Sequence, residues 1–334
     1  MRRIKSKKLI HLVCFCMIFL CACSGENVSK EKKTVKLPSS EYAMTKVEFP
    51  FDNTRLNFKN SAVHDDFMDI FLMENDQMRW YVYDMQSETW EEKEIQWEGK
   101  TYFDTNGKPR YDSKGNRYFL LTTESGEDAK YDIYKLNDDG TFECYLKFTD
   151  YIPDYKKISG GWKFMEDDRI LVSLDYENTE KATEVFIIDP IKQEKQQTYM
   201  ENIFSFNNVL LDGSLYVYPR ENEDSELVFR VGDLWDYKKK QEIHSNIELD
   251  FDLDPTAEIL PLLKEEDNYY SVTRYGIYKF TLQKAEVECM VPAEVVQEEL
   301  TKYGSYTAAY KSQGEDKFYV LAQDGFKIGL YKIE

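Results

Sequence analysis

Few residues of this sequence have the types and spacing that catalysis or metal binding usually requires. Histidine occurs three times, at His11, His64 and His244, and neither a His-Glu-x-x-His nor a Cys-x-x-Cys motif is present. A zinc site of ordinary ligand spacing is therefore not expected, and His64 and His244 are predicted to lie in solvated loops. The Gly-x-Ser-x-Gly elbow of serine hydrolases and the Gly-x-x-x-x-Gly-Lys phosphate loop are also absent. The sequence predicts no catalytic residue, no cofactor site and no metal ligand.

Carboxylates are so abundant that their spacing carries little information. The chain has 62 Asp and Glu residues, and with that number some pair will fall at the separation that glycoside hydrolases use. Residues 138–142 superficially suggest a sialidase Asp-box, but the threonine comes one place early and the tryptophan is missing, so a hairpin turn is predicted. In residues 250–254, acids that could ligate calcium alternate with apolar residues, yet the glycine and closing glutamate of an EF-hand loop are absent. A polar edge strand is predicted there instead.

The residue with the clearest chemistry is Cys23. It follows a run of cations in residues 1–8 and an apolar run over residues 9–20, the pattern of a secretory signal that is too short to span a membrane comfortably. Leu20-Cys21-Ala22-Cys23 resembles the lipobox of bacterial lipoproteins, in which the last cysteine receives diacylglycerol. The resemblance implies cleavage after residue 22 and a lipid anchor on Cys23, because two acyl chains suffice for stable membrane attachment. An ordinary cleaved signal with incidental cysteines is the alternative.

Composition limits the classes of partner that the secreted chain can have. The net charge is -19 at pH 7, and loss of the cationic signal segment makes it more negative. This excludes most nucleic-acid binders, which need a basic surface, and disfavours adhesion of the protein surface to anionic lipid. Residues 23–41 are charged, polar and without apolar periodicity, which predicts a flexible tether. The remaining body, residues 42–334, is too aromatic to be disordered.

Short apolar runs bounded by Asp, Gly, Asn and Glu predict strands throughout the body. One pattern recurs about every 50 residues, with Tyr83, Tyr134, Ile187, Phe229, Tyr278 and Tyr331 in equivalent places. Each copy is preceded by a polar turn and another strand, which is what a β-propeller blade of several strands requires. Six copies fit the body, and the last ends at its third strand. We therefore predict an all-β, six-bladed β-propeller closed by an N-terminal strand within residues 42–49, with one short helix near residues 292–303.

The turns that follow the third strand begin with an aspartate, at Asp84 and Asp189. These hairpins resemble those of bacterial propellers that include the TolB-like group, a resemblance that implies a six-bladed ring. A pair of β-sandwiches is the alternative fold. In the propeller register, Cys144 and Cys289 occupy matching outer strands of the second and fifth blades. Opposite blades lie too far apart for a disulfide, so two reduced thiols are predicted.

The loops between second and third strands are the predicted binding face. They are rich in acids that could attract a cationic ligand, although solvated turns explain them equally well. The candidate residues are Glu74, Asp76, Glu124, Glu127, Asp128, Glu177, Glu180, Glu221, Glu223 and Asp224.

The sequence thus predicts a non-enzymatic binding or scaffolding module, held by lipid on the outer face of a bacterial membrane, with a protein or glycan as ligand. The alternative is an extracytoplasmic glycosidase or lyase that uses propeller carboxylates. Acids clustered with Trp or Tyr around the central channel would favour the enzyme, and a channel plugged by aliphatic side chains would favour binding.

Overall fold

The computed structural model describes residues 42–52, 57–74, 77–96, 102–103, 109–122, 129–176, 184–200, 209–224, 226–248, 263–273, 276–283, 287–300, 305–312, 314–324 and 327–334. The chain divides into two units, Met1–Thr34 and Val35–Glu334, and every described residue belongs to the second. The predicted signal segment, Cys23 and the tether lie outside the described residues. Within them, no helix is long and apolar enough to cross a bilayer.

The strands form six antiparallel sheets, which we call blades and number in chain order. After β1 (Met44–Val47), blade 1 contains β2 (Asn57–His64), β3 (Phe67–Glu74), β4 (Gln77–Asp84) and β5 (Thr89–Lys93). Blade 2 contains β6 (Tyr102–Phe103), β7 (Arg110–Tyr111), β8 (Arg117–Thr122), β9 (Asp132–Leu136) and β10 (Phe142–Leu146), with β6 and β7 both paired to β8. Blade 3 contains β11 (Tyr155–Phe164), β12 (Ile170–Tyr176), β13 (Glu184–Asp189) and β14 (Glu194–Thr198).

The second half of the chain repeats the same meander. Blade 4 contains β15 (Leu210–Asp212), β16 (Leu215–Glu221), β17 (Glu226–Asp233) and β18 (Lys240–Glu248). Blade 5 contains β19 (Leu263–Glu265), β20 (Asn268–Thr273), β21 (Gly276–Phe280) and β22 (Val287–Pro292). Blade 6 contains β23 (Ser305–Lys311), β24 (Phe318–Asp324) and β25 (Lys327–Ile333), and its fourth strand is β1.

The ring is closed by pairing between the two ends of the body. Met44 pairs with Ile333 and Val47 with Leu330 in an antiparallel ladder. The ladder continues past the strand ends, where the Ala43 N–H donates to the Glu334 carbonyl over 2.8 Å and the Glu334 N–H donates to the Ala43 carbonyl over 3.1 Å. The predicted closure by an N-terminal strand is confirmed. It removes the exposed edge that an unpaired β25 would present to other chains.

Burial follows the position of each strand within its blade. The second strand β8 is buried over nearly its whole length, because both of its faces pack against neighbouring blades, whereas the fourth strand β14 is exposed except at Thr198. This explains why the second and third strands are rich in apolar residues, as in sheets covered on both sides. The apolar clusters cross from blade to blade, with Met68 and Ile70 of blade 1 packed with Tyr319 and Leu321 of blade 6.

The hairpins between third and fourth strands have the structure that their leading aspartates predict. The Asp84 carboxylate accepts the N–H of Gln86 and of Ser87 at 2.9 and 3.1 Å, and Asp189 does the same for Ile191 and Lys192. Side-chain acceptance of backbone N–H groups two and three residues ahead is what makes Asp a turn residue. Residues 137–141 form the predicted hairpin turn between β9 and β10, with Gly140 at φ 81°.

The fourth strand of one blade ends against this turn of the next blade. The Gln96 N–H donates to the Gly140 carbonyl over 2.8 Å, which joins blade 1 to blade 2, and the Tyr199 N–H donates to the Leu234 carbonyl over 3.1 Å, which joins blade 3 to blade 4. Where the ring closes, the Trp90 indole N–H of blade 1 donates to the Glu48 carbonyl, which follows β1, over 3.0 Å. Hydrogen bonds to backbone carbonyls therefore join these pairs of blades near their outer edges.

The predicted short helix is present as α1 (Ala293–Leu300), which follows Pro292 and connects blade 5 to blade 6. Val296 on this helix is fully buried in the cluster shared by those two blades. The predicted strand at residues 250–254 lies outside the described residues.

Candidate binding cavity at the mouth of the ring

A cavity with a volume of about 1050 Å³ opens in the described part of the chain. It lies where the first strands of the blades end and turn into the second strands. Blades 1, 2, 3, 5 and 6 contribute to its wall. The lining residues are 61–65, 109–111, 163–164, 263–266, 268, 270, 279, 308–311, 314 and 316. The first strand of each blade faces the ring axis, so this cavity is one mouth of the central channel.

Charges of both signs line the cavity. The acids are Asp65, Glu265, Glu266 and Asp316, and the cations are Arg110, Lys163, Lys264, Lys279 and Lys311. Cations are thus in slight excess here, although the chain as a whole carries a net charge of -19. The mouth offers donors and acceptors rather than an apolar surface, which suits a polar ligand.

Glu265 and Lys311 form an ion pair in the wall. The Lys311 side chain is only 5% exposed, and its ammonium lies 2.7 Å from Glu265 Oε2 and 5.1 Å from the centroid of the Tyr270 ring. Glu265 Oε1 accepts the Gly314 N–H over 2.7 Å. Partial burial alone would raise the pKa of Glu265, but the hydrogen bonds from Lys311, Gly314 and Tyr270 hold it below its usual range. This carboxylate is therefore ionised at neutral pH.

Arg110 of blade 2 and His64 of blade 1 also contribute to the wall. Burial lowers the pKa of Arg110 to about 10, so the guanidinium is still charged at neutral pH, and its Nε donates to the Trp162 carbonyl over 3.1 Å. The His64 ring stacks on Tyr111 with centroids 4.9 Å apart and lies 3.0 Å from a carboxylate oxygen of Asp65.

Behind Tyr111 lies a buried polar cluster that joins blades 1 and 2. The Asp69 carboxylate, fully buried, accepts the Trp80 indole N–H over 2.8 Å, the Arg117 Nε–H over 2.7 Å and the Tyr111 hydroxyl. The Arg117 guanidinium also lies 4.9 Å from the centroid of the Trp80 ring. Burial and the neighbouring Asp69 charge raise the pKa of Tyr111 well above its usual value, so the phenol stays protonated.

Acids at the turns between first and second strands recur around the ring and bond to the neighbouring blade. They are Asp66, Asp168, Asp212 and Glu265. Their donors are Tyr310, Ser113, Lys264 with Tyr269, and Lys311, respectively. Burial alone would raise the pKa of Asp212, but hydrogen bonds from Lys264 and Tyr269 lower it. These four acids thus join neighbouring blades.

Most of the sequence-predicted binding acids cannot be placed against this cavity. Asp76, Glu124, Glu127, Asp128, Glu177 and Glu180 lie outside the described residues. Of the others, Glu74 and Glu221 end strands β3 and β16, and Glu223 and Asp224 are exposed in the turn between β16 and β17. Loops between second and third strands lie at the other end of each blade from the cavity. The described residues do not bring the predicted acids together with it.

The remaining sequence predictions about single residues concern the two histidines and the two cysteines of the body. Both body histidines were expected in solvated loops, which is wrong: His64 ends β2 with a 27% exposed side chain, and His244 lies on β18, 2.9 Å from Glu226. Cys144 on β10 and Cys289 on β22 are both free thiols, on fourth strands of blades 2 and 5. Among the described residues, no group of three or more His, Cys, Asp or Glu could hold a metal ion.

The six antiparallel blades, five of them with four strands and one with five, surround an axial cavity and, with the closing strand, define a six-bladed β-propeller. No family model and no curated protein matches the chain.

Solved structures that resemble it include TolB from Acinetobacter baumannii, with 14% identity and a TM-score of 0.37 over 58% of this chain and 44% of that one. A luciferin-regenerating enzyme shares 11% identity with a TM-score of 0.49, over 87% of this chain and 95% of that one. The Mala s 1 allergen of Malassezia sympodialis shares 10% identity with a TM-score of 0.44, over 87% of this chain and 96% of that one.

Proposed function

We propose that this protein is a bacterial lipoprotein whose propeller is a binding module, and that its ligand, a protein segment or a glycan, enters the cavity at the mouth of the ring. The observation that carries the proposal is the cavity of about 1050 Å³, which is large enough for a ligand of several residues or sugar units. Its wall comes from five blades and is held by hydrogen bonds between blades, so the site is formed before the ligand arrives. A preformed site avoids part of the entropic cost of binding.

The chemistry of the wall favours binding over hydrolysis. A glycoside hydrolase needs a carboxylic acid that stays protonated near neutral pH, beside a second carboxylate. Glu265, with Tyr270 close by, is the acid whose surroundings are best defined, and its bonds to Lys311 and Gly314 lower its pKa instead. A carboxylate in that state is suited to accept a ligand hydrogen bond. Measurable turnover of a cell-wall or plant polysaccharide would overturn this assignment.

The site is tested by a screen of the full-length protein, in detergent, against glycan and peptide arrays, followed by charge reversal in the cavity. Lys279→Glu and Glu266→Lys both alter the lining, and at least one should weaken binding of the ligand tenfold or more. Glu223→Gln, in an exposed turn at the other end of blade 4, is the matched control and should have no effect. If Glu223→Gln weakens binding and neither cavity variant does, the ligand binds instead at the acidic loops between second and third strands.

The membrane anchor rests on the lipobox and on the signal that precedes it. A cell that processes Cys23 should incorporate an alkyne-tagged fatty acid into this protein and deliver it to the outer face of a membrane. Cys23→Ser should abolish labelling, whereas Cys21→Ser should retain it, because only Cys23 follows two small residues. Equal labelling of both variants would reject Cys23 as the lipid site.

A further inference from the structure

A second hollow lies on the outer side of the ring, between blades 3 and 4. It consists of two adjoining depressions of about 430 and 350 Å³ that share Tyr216 and Lys240. The first is lined by residues 184–185, 197–200, 216, 237 and 240, and the second by residues 216, 218, 230–232 and 240–242. We call the two together the side groove. It is separate from the cavity at the channel mouth and shares no lining residue with it.

Exposed aromatic rings mark the first half of the side groove. Tyr199 is 57% exposed and Tyr237 is 58% exposed, and their ring centroids are 5.9 Å apart with the planes tilted by 53°. Trp235, in the same turn as Tyr237, is 39% exposed. Of the large apolar side chains that are exposed in the described part of the chain, half thus lie on this short stretch of the rim. An apolar surface confined to one concave place indicates a binding site.

Backbone contacts hold these rings in position. The turn that carries Trp235 and Tyr237 accepts the Tyr199 N–H at the Leu234 carbonyl, over 3.1 Å. Asp233 accepts the Trp235 N–H over 2.8 Å, which fixes the turn itself. The rings project from a rigid junction between two blades, so little conformational entropy is lost when they bind.

The floor of the groove depends on a glycine. Tyr216 stands opposite Gly232 in the β16–β17 ladder, and a Cβ at Gly232 would lie 2.2 Å from the Tyr216 ring. Tyr216 in turn stacks over Tyr218, with centroids 6.2 Å apart and planes 18° from parallel. The absence of a side chain at residue 232 lets the buried Tyr216 ring lie close to the strand at the floor of the groove.

Polar groups line the groove beside the rings, and their charges are largely balanced. Arg230 lies 2.7 Å from Glu242, and exposed Gln197 contributes a neutral amide. At the rim, Lys239 lies 3.6 Å from a carboxylate oxygen of Asp233. The lining contains two acids, Glu184 and Glu242, and two cations, Arg230 and Lys240, so the surface is suited to a neutral ligand rather than to an acidic glycan or an anionic lipid.

We propose that the side groove binds a neutral glycan chain. A pyranose ring has an apolar face of C–H groups that fits an aromatic side chain and a rim of hydroxyls that fits amide, carboxylate and guanidinium groups. Tyr199 and Tyr237 would supply the aromatic rings that pack against the sugar. Gln197 and the Arg230–Glu242 pair would form hydrogen bonds to its hydroxyls further along the groove. This proposal does not depend on what occupies the cavity at the channel mouth.

The test measures binding of three neutral hexasaccharides, cellohexaose, chitohexaose and maltohexaose, to the full-length protein in detergent by titration calorimetry. We expect at least one to bind with a Kd of 1 mM or tighter, and Tyr199→Ala with Tyr237→Ala to weaken it at least tenfold. Tyr237→Phe keeps the aromatic face and should bind within about threefold of the parent. Ile191→Ala, which removes an 87% exposed side chain from another turn, is the control and should bind as the parent does.

Three results would overturn the proposal: no binding of any of the three sugars, binding that the double variant leaves unchanged, or capture of a peptide from the array by the same tyrosines. Lys279→Glu in the cavity separates the two sites. If it alone abolishes sugar binding, the side groove is not the sugar site, whereas the proposed function of the cavity would stand.

Discussion

Removal of the Asp69 carboxylate should be among the most destabilising single changes in this chain. Asp69 is fully buried on β3 and accepts hydrogen bonds from Trp80 of its own blade and from Tyr111 and Arg117 of blade 2. The Arg117 side chain is 20% exposed, so solvent screens its charge only partly. Asp69→Ala leaves this cation and two further donors without their acceptor.

The magnitude follows from these contacts. Removing one partner of a buried ion pair typically costs about 3–5 kcal/mol, much of it the penalty of leaving the other charge unpaired. We expect a loss of about 4 kcal/mol in the free energy of unfolding for Asp69→Ala, which is nearly a thousandfold in the folding equilibrium. Asp69→Asn keeps one acceptor oxygen and should lose about 2 kcal/mol.

Urea unfolding, followed by tryptophan fluorescence, measures these losses in the free energy of unfolding. A loss of stability lowers the urea concentration at the transition midpoint and leaves the dependence of the free energy on urea unchanged. Asp236→Asn, at a 42% exposed carboxylate, is the control and should change stability by less than about 0.5 kcal/mol. The double variant Asp69→Ala with Arg117→Met should be more stable than Asp69→Ala alone, because no unpaired charge is left in the interface. If Asp69→Ala unfolds within about 1 kcal/mol of the parent, the cluster does not hold blades 1 and 2 together.

Three further predictions concern titration, thiols and backbone strain. Burial raises the pKa of Tyr270 to about 12, whereas an unfolded tyrosine titrates at about 10. The contribution of the protonated phenol to stability is therefore complete below about pH 10 and is lost as the pH rises towards about 12. Urea midpoints measured across this range should fall. In native protein a thiol reagent should label exposed Cys144 quickly and Cys289, 5% exposed, only on unfolding, and the absence of free thiols in denatured, unreduced protein would contradict the blade register. Gly140→Ala should destabilise the protein more than Gly213→Ala. Both glycines have a positive φ, but only at Gly140 would a Cβ approach a backbone atom, to 2.7 Å. The extra strain should cost about 1–3 kcal/mol and appear as a lower urea midpoint. Equal midpoints would show that the turn can shift.

The propeller could be predicted because its strands repeat with their turns. Third strands such as those that include Tyr83 and Tyr331 are largely buried between neighbouring blades, so a similar apolar pattern recurs along the chain. Leading aspartates such as Asp84 predicted hairpins because the side chain itself forms the turn. The irregular first strand of blade 2, in two pieces, was not predictable, since each piece is only two residues long.

The candidate sites were harder to predict, because their residues come from different blades. Glu265 and Lys311 meet only after blades 5 and 6 are packed, and no local pattern records that contact. A signal did exist in the acids that recur between first and second strands, but the chain contains so many acids that this set did not stand out. The side groove depends on Tyr199 and Tyr237, which are distant in sequence and adjacent only where two blades join.

The closing ladder between β1 and β25 has a consequence for the order of folding. β1 emerges early in synthesis, yet its partner strand is made last, so this pairing has a sequence separation of nearly the whole body. Until β25 is available, blade 6 lacks its central strand and the growing chain is an open arc with unpaired edges. Such contacts form slowly and leave intermediates prone to aggregate. Folding of this ring is therefore expected to be controlled by its last few residues, and a chaperone would be needed most just before they emerge.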